Sequence, residues 1–328
     1  IVQYTGMAKE QNDFRATHNQ EPYWTNSAFG GMPTYQLGAK YPHDYIGIAY
    51  DSAAEGNYTL YIIQGSFTGF HRYFTNDELF DDFYASVFTK LTQNEKLVQG
   101  ESALCMIEFK KHNSTNQLSI LDAGCGIGVA SCSFVKLGAT HVVGIDKSKY
   151  MINYSKYTTL PSTTLNDIQK QDIEFRIGDL IGPGAAGAAE FDAACLLYFT
   201  IYYFRDLDTL FRNLHLWVKP NGSLAIEVVN KYKFEPVLDS SNPWVGISPQ
   251  RYTKERITQS KVVFDKFDYE AVFDLEDPKA EFRETFRFKD GSVRRQRHRL
   301  YMPSIDDIVK KANQNGWTYT KYVDLMPL

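Results

Sequence analysis

The chain of 328 residues is poor in cysteine and has no long apolar run. Its four cysteines, Cys105, Cys125, Cys132 and Cys195, form no CxxC pair and no Cys/His cluster with zinc spacing. No metal site is therefore expected, and the thiols read as reduced, as in the cytoplasm. No stretch approaches the roughly 18 apolar residues of a membrane-crossing helix, so no span is expected in this chain. Charge is not in excess either: 35 basic residues face 39 acidic ones, for a net of −4. That balance argues against a strongly basic polynucleotide-coating protein and against an acidic disordered tail. Aromatic residues are plentiful, with 22 Phe, 22 Tyr and 4 Trp. Such rings serve a core or a pocket, because each buries a large area and Tyr keeps a polar end.

Residues 1–46 are rich in Gly, Pro, Asn, Gln and Tyr, without a sustained period, and read as an irregular N-terminal arm. Over Asp13 to Leu37 this arm faintly resembles an extracytoplasmic loop of bacterial polytopic membrane proteins. From Asn76 to about Gln99, Leu79, Phe80, Phe83, Tyr84, Val87, Phe88 and Leu91 fall at helical spacing, with Asn76 or Asp77 as cap. A short helix follows over about Ser102 to Lys111. Strands then alternate with helices: strands at 118–124, 140–146, 173–179, 191–198 and 222–229, helices at 129–137, 148–157 and 207–218. This pattern predicts an α/β fold, a Rossmann-like, mostly parallel sheet with helices on both faces. After about Pro249 the pattern changes to an antiparallel β insertion near the C-terminus, with strands at 262–273, 281–288 and 293–301 and a hairpin turn at Asp290-Gly291. Ser304 caps a helix that Gly316 ends, and Trp317 to Leu325 reads as a last strand.

The chemistry concentrates at LDAGCGIG, which places Gly124, Gly126 and Gly128 between a strand and a helix N-terminus. Glycines there let a ligand approach the backbone closely. Their G-x-G-x-G spacing differs from the dinucleotide pattern, whose third small residue would stand at Val129. Asp122, two residues before the loop, would repel a pyrophosphate and attract an ammonium group. Asp146 ends the second strand, where a carboxylate can accept both hydroxyls of a ribose. Asp179 ends the third, where it can hold an exocyclic amine.

These motifs, in this order, resemble class I S-adenosylmethionine-dependent methyltransferases. The match covers about 118–227 with every core motif and thins over the rest of 47–328. It implies a 113–230 core that binds S-adenosylmethionine, a 47–112 helical cap or lid, and a 231–328 segment holding the antiparallel insertion and the core's final helix and strand. By the same resemblance, Gly124, Cys125, Gly126 and Gly128 wrap the methionine part of the cofactor, with Asp122 nearby. Asp146, with Lys147 beside it, holds the ribose; Asp179 and Leu180 hold the adenine; Tyr198 ends the fourth strand at the cofactor. Family sheets usually end in a hairpin whose last strand lies beside the fifth. Only three residues follow Leu325, so the sheet is expected to end short or to be completed by the N-terminal arm.

The acceptor side is expected beyond the fourth strand. Tyr202 and Tyr203, with Tyr50, Tyr58 and Tyr61 from the lid (Tyr50 to Phe74), are candidates to line it, and His71 and Arg72 lie on the same segment. Tyr198 and His298 are the candidate catalytic groups, and Glu227 is a possible strand-end acid. The basic run Arg294 to Arg299 faces segments containing Glu270, Asp274, Glu276, Glu281 and Glu284, so cross-strand ion pairing explains it without a nucleic-acid partner. The leading expectation is a cytoplasmic transferase that moves a methyl group to N or O of a small molecule. An RNA or protein methyltransferase and a non-catalytic or truncated cofactor-binding protein are the alternatives.

Overall fold

The computed structural model describes residues 73–92, 95–112, 117–234, 236 and 256–323, together with 24–25 and 32–33. The chain divides into two units, Ile1–Phe70 and His71–Leu328. In the first, Trp24–Thr25 pairs antiparallel with Met32–Pro33.

The second unit begins with strand β1 (Tyr73–Thr75), a short turn of helix (Asn76–Leu79), helix α1 (Asp82–Thr92) and helix α2 (Glu95–His112). The expected 76–99 helix is thus broken, and Asp81 accepts the Tyr84 N–H at 3.0 Å where the chain restarts. The α/β alternation follows: β2 (Ser119–Ala123), α3 (Val129–Lys136), β3 (His141–Asp146), α4 (Lys149–Tyr154), β4 (Ile173–Ile177), β5 (Phe191–Leu196), α5 (Leu207–Trp217) and β6 (Val218–Ile226). The five strands pair in parallel in the order β4-β3-β2-β5-β6. Central strands are buried on both faces, as an unbroken run such as Ile120-Leu121-Asp122-Ala123 requires. On α5, Leu207, Leu210, Phe211, Leu214 and Trp217 form one apolar stripe against the sheet, and Asp206 caps the helix by accepting the Thr209 N–H at 3.0 Å.

The C-terminal half builds a separate sheet from β7 (Gln259–Val263), β8 (Phe267–Glu276), β9 (Lys279–Phe288) and β10 (Val293–Tyr301), followed by α6 (Ile305–Gln314). Its order is β1-β10-β9-β8-β7, with β1 the parallel edge strand. The single strand expected over 262–273 is two strands, because Phe264–Lys266 reverses the chain and the Phe264 N–H closes on the Phe267 carbonyl at 2.9 Å. Rings of α1 cover the inner face of this sheet: Phe83 meets Phe286 edge-on at 5.2 Å and Phe288 at 5.4 Å.

The expected last strand does not form over 317–323. Trp317 instead donates its indole N–H to the Phe211 carbonyl at 3.1 Å, which ties this segment to α5. Among the described residues the parallel sheet has no strand beyond β6. The arginine run is paired in part as expected. Arg297 and Arg299 reach Glu281 at 3.4 and 4.0 Å, whereas Arg294 turns to Asp81 at 2.7 Å and stacks over Phe74 and Phe83. Glu284 is buried and bonds instead to Gln296 and His298 of the same strand as the run. Among the described residues no helix is long and apolar enough to cross a membrane, and no group of three or more potential ligands is placed to hold a metal.

Candidate functional site

The glycine loop is clamped to the neighbouring strand: the Gly124 and Cys125 N–H groups both donate to the Ile145 carbonyl, at 2.7 and 3.0 Å. Gly124, Gly126 and Gly128 all adopt positive φ, at 75°, 54° and 79°. Packing also requires glycine at two of them. A Cβ on Gly124 would lie 2.4 Å from Thr200 Cγ2, and one on Gly128 would lie 2.5 Å from the Phe175 ring. A Cβ on Gly126 would meet only Phe88, at 3.8 Å, so this peptide faces open space beneath α1. Behind the loop, α4 runs into a π-helical turn (Ser155–Thr159) that brings the Ser155 hydroxyl to the Gly126 carbonyl at 3.0 Å.

Asp146 closes this turn. Its Oδ2 accepts the Gly126 N–H at 3.0 Å and its Oδ1 accepts the Ser148 N–H at 2.8 Å. Burial raises its pKa, and the two N–H donors oppose that rise. Each oxygen keeps a free lone pair, which suits the two hydroxyls of a ribose. Asp179 is exposed at the end of the next strand, and Lys147 bridges it (3.3 Å) to Asp77 (3.2 Å). The Leu180 side chain is core and its carbonyl accepts from Asn213 Nδ2 at 2.9 Å, which leaves its N–H for any ligand.

Asp122 departs from its expected place. It is 2% exposed, with Oδ2 accepting from the Ser131 hydroxyl at 2.6 Å and Oδ1 near the Cys195 thiol at 3.8 Å. Burial pushes its carboxyl up to about 6, against those bonds. It ties β2 to α3 beneath the loop and is not turned outward to an ammonium group. Cys125 is buried too, and burial pushes its thiol far above the ordinary range, so only its backbone is available as a partner.

Tyr198 sits in the left-handed region, at φ 55°, with its N–H donated to the Glu227 carboxylate. Its ring stands edge-on to Phe88 at 6.4 Å and to Phe199 at 5.3 Å. Residue 202 overturns its expected role: Tyr202 is 1% exposed in the core, and its hydroxyl accepts the Val229 N–H at 2.8 Å. The 3₁₀ turn Thr200–Tyr203 points the two neighbouring rings in different directions. Tyr203 turns to the antiparallel sheet and lines a cavity of about 790 Å³ with Asn76, Arg205, Lys279 and Arg299 among its walls. Tyr50, Tyr58 and Tyr61, with His71 and Arg72, lie outside the described residues.

His298 is also placed differently from expectation. It is buried, with both ring nitrogens engaged: Nδ1 lies 2.5 Å from the Tyr203 hydroxyl and Nε2 lies 2.6 Å from Glu284 Oε2. Glu284, also buried, accepts further from Tyr269 (2.5 Å) and from Gln296 Nε2 (2.6 Å). Burial alone would raise the Glu284 pKa, but His298 and these donors outweigh it, so the carboxyl stays below its ordinary range. An ionised Glu284 accepts a hydrogen bond from the Nε2–H, which leaves the Nδ1 lone pair to accept the Tyr203 O–H. Gln296, Tyr269 and Tyr84, whose hydroxyl lies 3.3 Å from His298 Nε2, were missed in the sequence as members of this group, and Glu284 was read only as a partner of the arginine run. Their signal was present: Glu284 alternates with Phe282 and Phe286 on the apolar side of its strand.

Comparisons with known proteins agree with this geometry. Residues 121–226 match a family model described as a methyltransferase domain. Phosphoethanolamine N-methyltransferase 1 of Zea mays is 27% identical over 180 residues, covering 54% of this chain and 31% of the relative. The mitochondrial ubiquinone biosynthesis O-methyltransferase of Dictyostelium discoideum is 28% identical over 122 residues, covering 37% of this chain and 38% of that protein. The chain therefore spans about a third of the length of these curated relatives. A crystal structure of an S-adenosylmethionine-dependent methyltransferase from Clostridium acetobutylicum superposes with a TM-score of 0.52 at 16% identity, covering 71% of this chain and 86% of that one. The sheet order, the glycine loop and the family match converge on one segment: residues 121–226 of this chain carry a methyltransferase domain.

Proposed function

We propose that the protein transfers the methyl group of S-adenosylmethionine to a nitrogen or oxygen of a small molecule. The observation that carries the reading is the row of groups at the carboxyl ends of adjacent strands. The open Gly126 peptide, the half-free oxygens of Asp146 and the exposed Asp179 lie in the order that a methionine, a ribose and an adenine require. In this reading the loop backbone at Gly124–Gly128 holds the methionine part, Asp146 accepts the ribose hydroxyls, and Asp179 with the Leu180 backbone holds the adenine. Lys147 fixes Asp179 from the rim. Helix α1, through Phe88, roofs the loop beside Tyr198.

The cofactor brings a methyl group already activated by its sulfonium. The protein's task is alignment and exclusion of water, a contribution of up to about 7–11 kcal/mol. A proton acceptor is needed only when the acceptor atom arrives protonated. Tyr203, with His298 and Glu284 behind it, supports that role: an acceptor proton passes to the Tyr203 oxygen as the Tyr203 proton passes to His298 Nδ1, leaving an imidazolium beside the Glu284 carboxylate. His298 thus works through Tyr203 and does not touch the substrate. Relatives acting on phosphoethanolamine and on ubiquinone precursors are compatible with either acceptor atom. Four free thiols support a reducing, cytoplasmic location.

Calorimetric titration of S-adenosylmethionine tests the cofactor assignment. Binding is expected, and Asp146→Ala is expected to weaken it roughly 10- to 100-fold, the worth of charged hydrogen bonds. Unchanged affinity in that variant would remove Asp146 from the ribose. A methyl-transfer screen across amines, phenols, carboxylates and RNA then identifies the acceptor, and transfer to RNA alone would reject the small-molecule reading.

A further inference from the structure

Arg294, Gln296 and His298 occupy alternate positions of β10 and so share one face of the strand. Their partners across the ladder on β9 are Phe286, Glu284 and Phe282. The side chain of Arg294 is 11% exposed, and its guanidinium lies over the rings of Phe74 and Phe83, at 4.3 and 4.9 Å. All three of its nitrogens are used. One terminal nitrogen donates to Asp81 Oδ2 at 2.7 Å, the other to the Leu79 carbonyl at 3.1 Å, and Nε donates to Gln296 Oε1 at 2.9 Å. Gln296 is buried, and its Nε2 donates to Glu284 Oε2 at 2.6 Å, the oxygen that also accepts the His298 Nε2–H.

A guanidinium only donates and an ionised carboxylate only accepts, so the amide between them has one workable orientation. Its oxygen must face Arg294 and its nitrogen must face Glu284. Turned over, it would set oxygen against carboxylate and NH2 against guanidinium. Arg294 is anchored in turn by residues 79–81, at the break before α1, where the Phe80 carbonyl accepts the Ser148 hydroxyl at 2.5 Å. The rings of Phe80 and Phe282 flank the imidazole, with centroids 6.0 and 5.5 Å from it.

The amide orientation bears on His298. With Gln296 and Tyr269 donating to it, Glu284 stays a carboxylate and accepts the Nε2–H, and Nδ1 stays bare for the Tyr203 O–H. A buried carboxylate that loses a donor takes up a proton from solvent more readily. A protonated Glu284 would donate to Nε2, the ring proton would then sit on Nδ1, and the Tyr203 hydroxyl would lose its acceptor.

We propose that Arg294 is a positioning residue for the Tyr203–His298 pair: by fixing the Gln296 amide it holds the imidazole in the tautomer that accepts the Tyr203 proton. The proposal rests on the reading of Tyr203 as proton acceptor given above. Arg294 and Gln296 both act through Glu284.

The test is NMR of the ring nitrogens in histidine-labelled protein, with the His298 signals identified by their loss in His298→Gln. In the wild-type protein the ring proton is expected on Nε2, with Nδ1 bare. Arg294→Lys keeps a cation for Asp81 but lacks the Nε–H, and Gln296→Met removes the amide. In both variants the Nε2–H signal is expected to be lost, wholly or in part, in favour of Nδ1–H. A purely structural role would lower the melting temperature and leave the tautomer unmoved. An unmoved tautomer in folded Arg294→Lys therefore overturns the proposal, as does a wild-type ring with its proton on Nδ1, a measurement that needs no folded variant at position 294. Titration of S-adenosylmethionine into the same samples separates the two readings. Binding with the tautomer unmoved overturns the positioning role alone; no binding by the wild-type protein overturns the methyltransferase reading and, with it, the use of the ring.

Discussion

The two sheets solve the placement of polar groups in opposite ways. At the parallel sheet, function gathers where strands end. Asp146, Asp179 and the glycine loop present backbone N–H groups and carboxylates at the edge of the core, held by bonds between near neighbours in sequence or on adjacent strands. At the antiparallel sheet the polar groups lie inside the core face. Glu284 and Gln296 are directly paired across β9 and β10, His298 stands two residues further along β10, and every one of them is buried. An exposed strand end tolerates a lost partner because water replaces it. A buried chain of partners does not, since each unpaired member bears its full desolvation cost.

That contrast is most sharply broken at Glu284. Glu284→Ala removes the carboxylate beneath His298 and is expected to cost about 3–5 kcal/mol in urea unfolding, as for other broken buried pairs. The pH dependence has a definite sign. The Glu284 carboxyl is below its ordinary 4.5 in the folded protein, so its stabilisation is complete above that value and fades as pH falls through the folded pKa. The acid limb of the wild-type stability curve should therefore be steeper than that of the variant; equal limbs would show that the carboxylate carries no such stabilisation.

Gly128→Ala comes next. The added Cβ would sit 2.5 Å from Phe175 at φ 79°. Left-handed strain and overpacking together predict a loss of about 2–4 kcal/mol. Gly126→Ala, which meets only Phe88 at 3.8 Å, carries the φ penalty alone and should destabilise less while still impairing cofactor binding. Reversal of that order in thermal melts would refute the close-packed account of the loop.

The neighbouring tyrosines separate structure from chemistry on a smaller scale. Tyr202→Phe loses the bond with Val229 and should cost about 1 kcal/mol of stability with little effect on turnover. Tyr203→Phe should instead lower kcat and flatten its pH profile, with KM for S-adenosylmethionine unchanged. Equal kcat losses in both variants would argue that neither ring is chemically engaged. The smallest effect is expected at the rim. Lys147→Met removes an exposed pair with Asp77 and Asp179 worth at most about 1 kcal/mol, and raised salt should mask the difference in melting temperature.

Legibility in the sequence followed the same division. LDAGCGIG, Asp146 and Asp179 could be read from the chain because each stands where a run of buried residues stops, and a strand end lies in the same place in sequence and in space. Tyr202 and Tyr203 could not be told apart, because a 3₁₀ turn decides which ring enters the core. His298 was noticed as a histidine but placed at the substrate, since nothing local reveals that Glu284 lies beneath its Nε2. Glu101 carried a trace of its position: it shares the helical spacing of Val98, Ser102 and Phe109, an acid on an apolar stripe.

By itself, then, the sequence determined the alternation of elements, the glycine loop and the acids that end β3 and β4, because hydrophobic period and backbone freedom are local properties. Only the tertiary structure decided which buried acids have partners. It spent Asp122 on Ser131 and Cys195 and seated Glu284 under His298. Those outcomes depend on strand order, register and helix docking, which bring together residues from 9 to 73 positions apart, and the energy of a buried charge is set by whatever stands beside it.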